Sequence, residues 1–112
     1  MKYPVNQHQD YHAHIYFDEQ TRDFSFELRE RIQSELGFAV GNFHQKLVGP
    51  HLRWSFAIEF KQEQFDLLIP WLDKARADLS VLVHAVTDDD YKDHTDYAYW
   101  LGSEVELNLT RL

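Results

Sequence analysis

The sequence predicts an α+β fold, a four-stranded antiparallel sheet with two helices on one face, and three observations carry that prediction. Several short segments alternate apolar and polar residues with a period of two. Two longer segments carry apolar residues at four-residue spacing. Read in order, the segments run β-α-β-β-α-β. At 112 residues the chain is long enough to wrap one core, and no repeat, low-complexity tract or linker interrupts it, so residues 1–112 are expected to form a single domain.

The first strand is "YHAHIYF", residues 11–17, with Ala13, Ile15 and Phe17 on one side and His12, His14 and Tyr16 on the other. A helix follows in "DEQTRDFSFELRERIQSELG". Phe24, Leu28, Ile32 and Leu36 form its apolar stripe, Asp18 or Thr21 is its N-cap, and Gly37 closes it. "FAVGNFHQKLV", residues 38–48, is taken as the second strand, ending at the Gly49-Pro50 turn. The third strand, "LRWSFAIEF", sets Trp54, Phe56, Ile58 and Phe60 against Arg53, Ser55, Ala57 and Glu59. A second amphipathic helix spans "KQEQFDLLIPWLDKARAD", with Pro70 inside it as a kink or the mark of a late start. "LSVLVHAV" is a short buried strand. Five aspartates between 88 and 96 then lead into "YAYWLG", and "EVELNL" alternates as a further edge strand.

This order is that of the ferredoxin-like split βαβ fold with a C-terminal extension, whose sheet runs 4-1-3-2. The helices would cover the face bearing Ala13, Ile15, Trp54, Phe56 and Val81, leaving the imidazoles of the first strand on the open face. With strands one and three taken as parallel neighbours, His12, His51 and His84 all come to one edge of that face. Strands lie ~4.8 Å apart, so the three imidazoles would share one ion at ~2.1 Å from each nitrogen. Imidazole serves iron, zinc, copper and nickel alike, which leaves the ion open. The same register puts Glu59 ~26 Å along the strand from His51 and excludes it as a fellow ligand. His8 and His44 read as bystanders.

Composition narrows the function classes. A formal charge of −8 argues against a nucleic-acid partner. There is no cysteine, hence no disulfide, thiolate nucleophile or zinc-thiolate site. No apolar run approaches the ~20 residues of a membrane span and no leader precedes the first strand, so a cytoplasmic protein without membrane contact is expected.

"YHAHIYF" at 11–17, "VGPH" at 48–51, "SVLVH" at 80–84 and "DH" at 93–94 followed by "WLG" at 100–102 resemble, in order, the signature blocks of the DOPA 4,5-dioxygenase family. The chain departs from that pattern at Leu52 and Ala85, where the family usually has proline, at Thr87-Asp88-Asp89, where it has Thr-Gly-Asp, and at Ala57, where many members have glutamate. His12, His14, His51, His84 and His94 all keep their places.

The resemblance implies an extradiol dioxygenase that opens the ring of a catechol, DOPA-like substrate with O₂ at a non-haem Fe(II), which zinc or nickel would replace in a purified sample. With His12, His51 and His84 on the metal, His14 is the expected acid/base and His94 its alternate. Arg53 is the candidate clamp for a substrate carboxylate, and Tyr16 and Trp100 are candidate walls for a planar ring. A homodimer is also implied, with residues 95–109 helping to close the open face. Two other classes fit the same fold: a metal-free small-domain monooxygenase, and a metal- or ligand-binding module without turnover.

Overall fold

Strand β1 (Asp10–Phe17) is the axis of the molecule, flanked on both sides and carrying a different chemistry on each face. The computed structural model describes residues 2–112. After β1 come α1 (Arg22–Leu36), β2 (Trp54–Lys61), a 3₁₀ turn (Gln62–Gln64) running into α2 (Phe65–Ala75), β3 (Val81–Ala85), the short α3 (Asp90–Asp93), β4 (Ala98–Leu101) and a last 3₁₀ turn (Leu109–Arg111). The sheet order is β2-β1-β3-β4, every pair antiparallel.

One face of the sheet packs on the helices as the period-two pattern predicts. Ala13, Ile15, Phe56, Ile58, Val81 and Val83 are fully buried there against Leu28 and Ile32 of α1 and Leu68 and Leu72 of α2. Thr21 takes the N-cap position of α1 but gives the helix no side-chain bond; instead the Thr21 N–H donates to Asp18 Oδ1 and the Asp18 N–H donates to Thr21 Oγ1, each at 2.9 Å, which fixes the turn ahead of the helix. Gly37 stops the helix at φ 73°, a left-handed conformation that costs glycine little. Phe24 lies in the first turn, beyond the reach of the core, and stays exposed. Pro70 lies inside α2, which already starts at Phe65, so it removes one i→i−4 bond from the helix and does not mark a late start.

The structure corrects three expectations. Residues 38–48 form no strand. They touch β2 only at the isolated bridges Val40–Ile58 and His44–Ser55, since Gly41 and Asn42 break the apolar alternation there. The fourth strand is instead Ala98–Leu101, on the outer side of β3, where Tyr99 and Leu101 enter the core. "EVELNL" makes no strand either. Its Val105 and Leu107 fold over the second face, against Tyr16, Leu82, Ala98 and Trp100, so the chain covers by itself part of the face expected to be bare.

The third correction is one of direction. β2 runs antiparallel to β1, with Phe17 opposite Trp54 and Asp10 opposite Lys61. The start of β2 therefore lies at the end of β1, and its end lies at the start. Among the described residues no helix is long and apolar enough to cross a membrane.

Candidate metal centre

On the second face the register lines up residues in rows across the strands. Glu59, His12, His84 and Ala98 make one row; Ala57, His14, Leu82 and Trp100 make the next. Alternation puts all of these side chains on the face away from the helices. His12, His14 and His84 each offer one nitrogen within 4.8 Å of the others. The closest pair is His14 Nε2 and His84 Nε2, 2.9 Å apart, their rings stacked at 13°.

Antiparallel pairing moves His51 away from the place expected for it. It sits three residues before β2, at the far end of β1, and bridges to Leu107. Its ring lies 4.2 Å from that of His14, and its Nδ1 lies 2.6 Å from the Tyr16 hydroxyl. The same reversal carries Glu59 to the opposite end, directly beside His12, with Oε1 3.5 Å from Nε2 rather than remote from the edge. His94, on the turn after α3, lies with its ring 4.3 Å from that of His84, tilted by 39°, and its Nδ1–H donates to the Asp90 carbonyl at 2.8 Å. All five imidazoles singled out in the sequence thus form one cluster. His8 and His44 lie outside it, against Tyr99 and Ser55.

Burial keeps three of these imidazoles, His14, His51 and His84, neutral. Burial, and then the neighbouring imidazoles, hold His14 well below the usual histidine value. Burial pushes His84 down to about 3, with His94, His12 and His51 adding to the fall and the Ala85 carbonyl opposing it. His51 falls to about 4, again by burial first and by His94, His44 and His12 after it. A neutral imidazole is the form that offers a lone pair to a cation.

Hydrogen bonds then select which nitrogen is free. The His84 Nδ1–H donates to the Ala85 carbonyl at 2.7 Å, which leaves the Nε2 lone pair aimed at His14. Burial raises Tyr16 above the usual phenol value, so its hydroxyl keeps its proton and donates to His51 Nδ1. That leaves the His51 proton on Nε2. Adjacent ligands at ~2.1 Å from one ion stand ~3 Å apart, close to the His14–His84 separation, so this donor set fits a divalent transition metal.

The remaining candidates are distributed around the cluster. Tyr16 and Arg53 line a pocket of about 470 Å³ at the far end of β1. Arg53 is exposed and, among the described residues, makes no ion pair. Trp100 is 5% exposed and lines a second pocket, of about 390 Å³, together with His94 and Leu107. His12 and Glu59 line a third, of about 340 Å³. Arg53 and Trp100 therefore flank the cluster from different sides and share no pocket.

Asp93, one of the five aspartates between 88 and 96, has a structural task. It is 2% exposed and accepts the Thr87 N–H at 2.8 Å and the Thr87 hydroxyl at 2.6 Å. This clasp closes the loop that brings His94 onto His84. Its only trace in the sequence is a threonine six residues ahead of an aspartate.

A model of the Dopa 4,5-dioxygenase family matches residues 11–111. An uncharacterized 21.2 kDa protein of Botryotinia fuckeliana is 36% identical over 110 residues, covering 88% of this chain and 60% of that one. The DOPA 4,5-dioxygenase of Amanita muscaria is 32% identical over 112 residues, covering 92% of this chain and 49% of its own. The chain thus spans between 49% and 60% of the length of these curated relatives. The crystal structure of a candidate dioxygenase from Nostoc punctiforme superposes with a TM-score of 0.88 at 35% identity, covering 97% of this chain and 95% of the other.

Proposed function

The chain belongs to the Dopa 4,5-dioxygenase family, and from that premise we propose that it is an extradiol dioxygenase which opens the ring of a catechol with O₂. The observation that carries the proposal is the group of imidazoles on the second face, His14 and His84 with Nε2 atoms 2.9 Å apart and His12 beside them. In this proposal His12, His14 and His84 hold the metal, and His51 joins His94 as a proton-handling residue, so that His14 and His51 exchange the roles first expected of them. Ferrous iron held by these three residues would supply the redox chemistry that lets dioxygen react with a catechol.

The protein's part is positioning and proton transfer. A catechol hydroxyl near pKa 10 must lose its proton at neutral pH. His94, with Nδ1 committed to Asp90, has Nε2 free to take it. His51, whose proton the Tyr16 hydroxyl directs to Nε2, is placed to give one back. The Trp100 ring offers a flat wall beside His94, and the unpaired Arg53 is a cation available to an acidic end of the substrate.

Anaerobic loading with Fe(II), followed by oxygen uptake and absorbance with a panel of catechols, tests the proposal. A yellow ring-opened semialdehyde is expected, and His14→Ala should abolish both iron retention and turnover. A loaded, folded protein that leaves every catechol intact would overturn it. The proposal includes a homodimer, for which sedimentation at micromolar concentration should give twice the 13.4 kDa chain mass.

A further inference from the structure

We infer that Glu59 is a fourth ligand to the same ion, so that the centre consists of three imidazoles and one carboxylate. The inference rests on the metal-binding role proposed for His12, His14 and His84. Its basis is position. Glu59, His12 and His84 stand opposite one another on three adjacent strands, on the same face. Glu59 Oε1 lies 3.5 Å from His12 Nε2, while ligands ~2.1 Å from a shared ion stand ~3 Å apart; the carboxylate stands just outside the group of three imidazoles and joins it by rotating its side chain inward past His12.

Nothing else holds that carboxylate. Its side chain is 84% exposed and, among the described residues, its only close partner is His12. The neighbouring Lys61 is taken by Asp10 at 3.1 Å, which leaves Glu59 free to swing. Of the acids after β3, Asp93 is committed to Thr87 and Asp89 to the Lys92 N–H at the start of α3, and none of them lies in the row of His12 and His84. Beside His14 the sheet offers only the Ala57 methyl.

Charge favours the same assignment. Three neutral imidazoles leave both charges of a divalent ion uncompensated, and Glu59 is the carboxylate that the register brings to their row. It lies at the rim of the third pocket, beside His12, where a flexible side chain can reach inward without disturbing the core.

Cobalt(II) titration of the metal-free protein, read by visible absorbance, tests this without any turnover. Wild type should bind one equivalent. Glu59→Gln should bind at least about tenfold more weakly and change the intensity and position of the cobalt d–d bands, because one ligand has been replaced. Glu104→Gln, an exposed acid near His94, should change neither. Equal affinity and an equal spectrum for Glu59→Gln would overturn the assignment. Weaker binding with an unaltered spectrum would overturn it too, since Glu59 would then only orient His12. A wild-type protein that binds no cobalt, or a His14→Ala variant that binds it normally, removes the centre itself, an outcome distinct from losing Glu59 alone.

Discussion

Strand β1 serves two regions that share a backbone and little else. Toward the helices it presents Tyr11, Ala13, Ile15 and Phe17, all buried among apolar neighbours. Toward the second face it presents His12, His14 and Tyr16, whose neighbours are imidazoles, a phenol–imidazole hydrogen bond and a carboxylate. The first region gains stability for every group it buries. The second keeps His14, His51 and His84 from water, holds them neutral and leaves the His84 Nε2 lone pair facing a neighbouring imidazole, an arrangement that favours a cation more than it favours the empty fold. Stability and chemistry are therefore separable by face, residue by residue, along a single strand.

The largest effect that would sharpen this division lies on the helix face. Phe56→Ala leaves a cavity between the sheet and the helices and should cost about 3–5 kcal/mol. Its denaturant midpoint should fall steeply, while the cobalt stoichiometry of the fraction still folded stays at one. A matched loss of metal with no loss of stability would break the division.

The next effect is one of pH and belongs to the second face. His51 and His84 titrate at about 4 and about 3 when folded, but near 6.5 when unfolded. The unfolded chain therefore takes up protons first as the pH falls. Full stability is present above pH 6.5 and is lost progressively toward pH 4 and below. Between pH 7.5 and 5 the metal-free protein should lose about 2 kcal/mol for each of these two imidazoles. Urea unfolding at the two pH values measures the loss, and His51→Phe should flatten the curve. A stability that does not change over that interval would show that the imidazoles are not shielded from water.

Asp93→Ala should follow, at about 1–3 kcal/mol, because the Thr87 N–H and hydroxyl lose their buried acceptor. It should also release His94 from His84, visible as a changed histidine proton resonance. The core resonances of Ile15 and Val83 should stay where they are. The smallest effect is that of Tyr16→Phe, which deletes one buried hydrogen bond to His51 and should cost about 1 kcal/mol. Metal affinity should hardly move, while the pH profile of turnover should, since the proton on His51 is no longer directed to Nε2.

Local pattern was enough to mark both faces of β1 and the stop of α1, because the period of side chains along a helix or strand is a property of consecutive residues, while the full set of five imidazoles, His94 included, came from the family resemblance. Pattern also placed residues 54–60 and 81–85 in the right layers. It could not say that Ala98–Leu101 would outcompete residues 38–48 for a place in the sheet. Both segments carry aromatic and aliphatic residues, and the choice depends on which sheet edge is free once the helices have packed. Nor could it yield strand direction, which no single segment encodes. Reversing β2 against β1 exchanged the ends of that strand, drawing Glu59 to His12 and sending His51 to Tyr16 and His14. The residues of the site were written in the chain, and the partners of His12, His14 and Tyr16 were decided by contacts with segments more than thirty residues away, which form only when the sheet closes.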